Sequence, residues 1–271
     1  MPFLPLGPGR GRPGPLYHII PNNHIYNTRP VGFYLPMTSR LPAALGLLCL
    51  SLSCLALDGC AATTAGTAMP TAPLPAATPE TLSTLLLTAP EVGATLTGRD
   101  DLVVTREVSI PWNDSAHFEN NDCLAVAGAA QQGVYAGTGW TGLRGQVLRE
   151  PPAAQTWAHY AVQAVVLFPT AAGAADFFTR SQQSWANCSD RELTYAQQMA
   201  PDQVWSVGPA GTDRDVLTVS RTERGPQQWS CQRALSVRGN VAVDVEACSL
   251  DGPTNAAAAI AGLIDERLPT A

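Results

Sequence analysis

The residues with chemical capacity are few and scattered. Asp114, Ser115 and His117 fall in one tetrapeptide and are the residue types of an orienting acid, a nucleophile and a base. Such a triad is made by geometry rather than by adjacency, and no G-x-S-x-G turn occurs to present a serine. Gly137-Thr138-Gly139-Trp140-Thr141-Gly142 fits G-x-G-x-x-G, a pattern that lets backbone N–H groups approach a pyrophosphate where a helix begins. Pro151 and Pro152 follow with no helical period between, so a turn is expected instead. His117 and His159 are the two histidines that follow residue 60, and there is no C-x-x-C. Neither a metal site nor a cofactor is therefore expected, and His159, next to Tyr160, reads as a satisfied structural histidine. No catalytic residue is assigned; a hydrolase built on Ser115 or His117 is the weakest alternative.

The cysteines carry more. Met37 to Arg40 form a short basic start, and residues 41–57 are almost wholly apolar, the form of an export signal. About 17 residues with an internal proline are short for spanning about 30 Å of hydrocarbon. The run ends in Leu57-Asp58-Gly59-Cys60, which resembles the lipobox of bacterial lipoproteins: aliphatic, then small, then Cys. That resemblance implies that Cys60 becomes a lipidated amino terminus, with Asp58 departing from the pattern. Residues 1–36, rich in Pro, Gly and Arg, are expected to be disordered or to lie upstream of the true start. Residues 37–59 read as the signal and 60–78 as a flexible tether, since Ala, Thr and Pro without charge cannot bury a core. A domain is expected over 79–271.

All 16 basic residues are Arg, against 22 acidic ones. From Cys60 onward, 12 Arg face 21 acids, a net charge of −9. An acidic domain without a basic stripe is not a nucleic-acid surface, nor does its charge favour anionic lipid. Attachment to the membrane would fall to the lipid.

Cys123, Cys188, Cys231 and Cys248 remain, and four cysteines in an exported domain suggest two disulfides. Residues 231–237 and 241–247 flank Arg238-Gly239-Asn240, and Gly-Asn signals a two-residue hairpin turn. With Gly239 and Asn240 as the turn, residues equally distant from it face each other, so Cys231 meets Cys248. They fall in a non-hydrogen-bonded pair, about 4.5 Å apart at Cα, within reach of a disulfide. The same register sets Arg233 opposite Glu246 on the cysteine face and leaves Ala234, Val243 and Val245 for the core. Cys123 then pairs with Cys188. By loop entropy the two bridges constrain the unfolded chain by about 3 kcal/mol for the hairpin and about 4 kcal/mol for the longer loop.

The elements that must position these residues follow from periodicity. Thr78-Pro79-Glu80 predicts a short helix to Leu87, and Thr88-Ala89-Pro90-Glu91 is a capping box for another over 92–96. Strands are expected over 101–110, 161–168, 194–199, 204–207 and 215–221, and a helix over 122–132. The clearest helix spans 171–187, with Thr170 as its cap and Ala174, Phe177, Phe178, Ser181, Trp185 and Cys188 at three- and four-residue spacing. A last helix over 254–268 sets Ile260, Leu263, Ile264 and Arg267 on one side. Asp213-Arg214-Asp215 reads as a solvated turn. Hairpins mixed with non-alternating helices predict an α+β fold: a single domain, an antiparallel sheet with packed helices and two disulfides.

Phe168-Pro169, Ala172, Ala175, Phe178 and Trp185-x-x-Cys188, preceded by Gln163-Ala164-Val165 and followed by Trp229-Ser230-Cys231 and Cys248, resemble the PknH-like extracellular sensor domain family and its free-standing mycobacterial lipoproteins. Leu85-Leu86-Leu87 and Pro90-Glu91-Val92 fit that family's opening helices. The likeness covers about 79–268, and no kinase signature accompanies it. It implies a non-enzymatic sensor with two bridges and a cleft for an unidentified small or envelope-derived ligand, tethered on the extracytoplasmic face of the plasma membrane. It transfers no ligand-contact residue to this chain. A structural or assembly lipoprotein acting through protein contacts is the alternative.

Overall fold

Gly239 and Asn240 turn the hairpin from which the rest of the sheet is built outward. The computed structural model describes residues 76–154, 157–225 and 227–269. The expected signal, Cys60 and nearly all of the tether lie outside the described residues. β8 (Ser230–Arg238) and β9 (Val241–Ser249) pair with Arg238 opposite Val241 and Cys231 opposite Cys248. Gly239 sits at φ +57°, a conformation the tight turn requires and glycine adopts without a Cβ clash.

β3 (His159–Leu167) lies beside β9, and β7 (Val216–Glu223) beside β8. β2 (Gly142–Arg149) and β1 (Val103–Val108) extend one flank; β5 (Gln203–Val207) and β4 (Glu192–Tyr195) extend the other. The order is β1-β2-β3-β9-β8-β7-β5-β4, with β6 (Gly211–Asp213) also on β7 and every pairing antiparallel. Between β6 and β7, Arg214 and Asp215 both take positive φ, as a two-residue hairpin turn of the primed type demands. Neither β2 nor β6 was expected. In β2, glycines and arginines interrupt the β-branched run by which a strand is recognised, while β6 has only three residues.

Both faces of this sheet are covered, which removes the solvent face that alternation in a hairpin usually signals. Ala234, Val243, Val245 and Ala247 point to one side, in a single apolar cluster with α1 (Leu82–Leu85), α2 (Ala89–Thr97) and α6 (Ala256–Asp265). Ile260 and Ile264 are fully buried there, each contributing about 2 kcal/mol by removal from water. Leu263, by contrast, is 39% exposed, because Ala257 and Ala261 set the contact face and allow the helix to come close. α2 opens with the capping box: the Thr88 hydroxyl accepts from Glu91 N while the Glu91 carboxylate accepts from Thr88 N. α1 is shorter than expected. Leu86 leaves it in extended conformation, so that Leu87 can exchange backbone hydrogen bonds with the Gln163 side-chain amide of β3, at 2.9 and 2.7 Å.

The opposite face carries α5 (Ala171–Asn187), capped by Thr170, whose hydroxyl accepts from Gly173 N. Ala174, Phe177, Ser181 and Trp185 are its buried stripe. The helix expected over 122–132 is instead split into a 3-10 turn over 121–123, α3 (Leu124–Ala127) and α4 (Gln132–Tyr135). Gly128 is extended and Ala130 takes φ +53°. The break has a partner on the sheet, described next.

Candidate functional site

β9 reads Val241-Ala242-Val243-Asp244-Val245-Glu246-Ala247-Cys248, and all of it is buried. Its odd-numbered residues go to the apolar cluster; Asp244, Glu246 and Cys248 go beneath α5. Buried carboxylates require countercharge and hydrogen bonds. Arg233 supplies one guanidinium, bonding Asp244 Oδ1, and Arg221 on β7 supplies the other, bonding Glu246 Oε1. Each arginine also faces an indole: Arg233 lies 5.1 Å from the Trp185 ring and Arg221 4.9 Å from the Trp205 ring.

Most of the remaining hydrogen bonds of both pairs go to residues 125–135. Arg233 donates to Ala125 O at 2.7 Å and Arg221 to Val126 O at 2.8 Å, which caps carbonyls at the end of the one-turn α3. Asp244 Oδ2 accepts from Ala130 N and from the Tyr135 hydroxyl, and Glu246 Oε2 accepts from Ala129 N. Burial, with the Asp244 carboxylate close by, holds the Tyr135 hydroxyl well above the usual phenol range, so it serves as a hydrogen-bond donor. A four-residue helix has little stability of its own; here two ion pairs hold it by its backbone.

Cys123, just ahead of α3, is bonded to Cys188 at the end of α5, with Cα atoms 5.6 Å apart. Cys231 is bonded to Cys248 with Cα atoms 4.0 Å apart. Between α5 and the latched segment lies a cleft of about 410 Å³, within the range of small-molecule sites. Leu124, Ala125, Val134 and Phe177 form its apolar lining, and Arg180 and Ser184 stand on the α5 side. Behind the floor a void of about 10 Å³ touches Arg233 and Asp244.

The short motifs resolve into structure. Asp114 accepts from Gln131 Nε2 at 2.6 Å, and Ser115 donates to Asn113 Oδ1 at 2.6 Å. His117 stacks on Tyr195 at 4.6 Å and its Nδ1 meets Ala196 O. The tetrapeptide is thus tied into local contacts, and Ser115 reaches the cleft only as one lining residue. Gly137 and Gly139 take φ +73° and +79° in a loop that leads into β2, a strand with no helix start to receive a phosphate. His159 is buried, with Nδ1 2.7 Å from Glu150 and Nε2 3.2 Å from Asp251. Among the described residues, the one donor cluster compact enough for a metal is Cys231, Glu246 and Cys248, and its two sulfurs are bonded to each other. Asp213, Arg214 and Asp215 are exposed at their turn. No helix among the described residues is long and apolar enough to cross a membrane.

Sequence reasoning missed the two ion pairs and Arg180. A signal existed for the first: two carboxylates sharing the cysteine face of a hairpin whose other face is wholly apolar. None existed for Arg180, which looks like any solvated helix residue.

The sequence model described as PknH-like extracellular domain matches residues 77–267. The chain is 33% identical over 187 residues to the serine/threonine-protein kinase PknH of Mycobacterium bovis, covering 69% of this chain and 31% of the kinase. PknH of Mycobacterium tuberculosis gives the same identity, with 29% of its length covered. The chain therefore spans about a third of these relatives. The crystal structure of the extracellular domain of PknH from Mycobacterium tuberculosis aligns with a TM-score of 0.66 at 34% identity, over 71% of this chain and 97% of that one. The correspondence is with the extracellular, non-kinase part.

Proposed function

Since the chain belongs to the PknH-like extracellular domain family, a family of sensor-type modules of the extracytoplasmic space, we propose that it is a lipid-anchored, non-enzymatic receptor whose cleft between α5 and α3–α4 takes a small or envelope-derived ligand. Cys60 would be the lipidated residue, and the stretch to Thr78 the tether that spaces the domain from the plasma membrane. The observation that carries the reading is the construction of the cleft wall. A segment with almost no helical stability of its own is held in place by four buried charged side chains and a disulfide, and its outer surface, with α5, bounds a concavity of ligand size. Preorganisation of that kind lowers the ordering cost of binding.

The test uses protein recovered from its own envelope. Native mass spectrometry should find a co-purifying small molecule, and Ala136→Trp, which places an indole into the cleft from an exposed position, should remove it. A ligand retained by that variant, or none in the wild type, counts against the cleft. For the anchor, intact mass should show a chain that begins at a diacylated Cys60, and Cys60→Ser should release the protein from membranes.

A further inference from the structure

The proposed cleft carries a charge distribution that selects a ligand class. Arg180 is exposed at its edge and forms no hydrogen bond or ion pair with any described residue. Asp176, one turn earlier on α5, is its internal competitor, yet the two are not paired. Ser184, one turn later on the same face, has an equally uncommitted hydroxyl; residues four apart on a helix are neighbours. Two hydroxyls of the lining are already engaged: Ser181 donates to Phe177 O at 2.9 Å, and Thr138 donates to Tyr135 O at 2.8 Å. What is left for a ligand on the α5 side is a guanidinium and a hydroxyl at one rim, beside an apolar floor; the 121–122 turn adds the Asn121 side-chain amide, which makes no hydrogen bond with a described residue, and the Asp122 carboxylate.

Resting on the cleft reading above, we infer that the ligand is an apolar monocarboxylate, its carboxylate on Arg180 and Ser184 and its hydrocarbon body over Leu124, Ala125, Val134 and Phe177. A guanidinium matches a planar carboxylate through two parallel N–H donors. Asp122 weighs against a second negative charge on the ligand. It is the acidic residue lining the same cleft, and one of its oxygens accepts from Asn120 Nδ2 at 3.0 Å. A second negative charge on the ligand would meet this carboxylate with no cation to offset it, which disfavours phosphate monoesters and dicarboxylates. Phe177 already stacks against Tyr135 at 4.8 Å and packs on Phe168 at 5.3 Å, so it contributes apolar contact to the floor rather than a dedicated stacking platform for a pyranose.

The experiment takes the full chain with Cys60→Ser, recovered from the extracytoplasmic space, and titrates octanoate, 1-octanol and octylammonium by calorimetry. Octanoate should bind at least fivefold more tightly than octanol, and octylammonium least. Arg180→Gln, an exposed substitution checked by an unchanged melting temperature, should weaken octanoate at least tenfold and leave octanol unchanged. Equal binding of octanoate and octanol, or octanoate binding indifferent to Arg180, overturns the carboxylate assignment while the cleft stands. Binding of none of the three, or binding untouched by Ala136→Trp, removes the cleft reading with it.

Discussion

Arg233 stands directly opposite Glu246 in the β8–β9 register, yet gives its guanidinium to Asp244, two residues along the neighbouring strand. Glu246 is left to Arg221, which reaches it from β7 on the far side of β8. The diagonal offset lets two arginines serve two carboxylates and still contact consecutive carbonyls of α3.

Removal of one partner from such a pair strands the other in a dry interior. Asp244→Ala is expected to cost about 3–5 kcal/mol, read as a lowered urea midpoint, because Arg233, Ala130 N and the Tyr135 hydroxyl lose their acceptor together. The double variant Asp244→Leu with Arg233→Met should be more stable than Asp244→Ala alone. Equal losses in the two would show that packing, not uncompensated charge, sets the cost.

The two disulfides should differ in weight. The Cys123–Cys188 loop closes 65 residues and the Cys231–Cys248 loop 17, so on loop entropy their removal costs about 4 and about 3 kcal/mol. The paired alanine variants, compared by denaturant unfolding, should rank in that order. Only the first should also raise proteolytic sensitivity within 121–135, since Cys123 leads directly into α3.

Glu91 gives the fold an acid dependence. The Thr88 backbone N–H, then the Thr88 hydroxyl, then Arg267 just past the end of α6 hold its carboxyl down at about 2, from an ordinary 4.5. A folded-state pKa below the unfolded one adds stability that is complete above about 4.5 and disappears as pH falls toward 2. Glu91→Gln should therefore be less stable than wild type at neutral pH, and the difference should shrink across that window. A gap that stays constant to the acid end would mean that the charge is not what stabilises.

Gly93 should answer against helix propensity. Within an α-helix, Gly→Ala ordinarily gains about 1 kcal/mol. A Cβ at Gly93 would lie 2.6 Å from the Arg99 carbonyl oxygen, a backbone atom that cannot swing aside. Gly93→Ala is expected to lower the melting temperature; a rise would show that the 99–101 turn yields easily.

The hairpin, α5 and the Thr88–Glu91 box were legible because each depends on near neighbours: a turn dipeptide, a stripe at helical spacing, a reciprocal pair three residues apart. The split of α3 from α4 was not. Residues 122–132 contain Leu124, Ala125 and Ala127, good helix formers, and what holds the break is a pair of carboxylates more than a hundred positions away. The cysteine face of β9 was likewise expected to be the less buried one: the hairpin register discloses Arg233, but nothing local in Asp244 or Glu246 discloses that Arg221 reaches Glu246 from β7 or that α5 covers the face. The cleft inherits this opacity, since its wall is that same segment.

The latch has a bearing on engineering. Since α3 is fastened through its main chain by side chains of the central strands, the recess can be recut by substitution at Val134 in α4 or at Ala136 just past it without disturbing the fastening. Transplanting the loop to another scaffold would fail unless the four charged residues travelled with it.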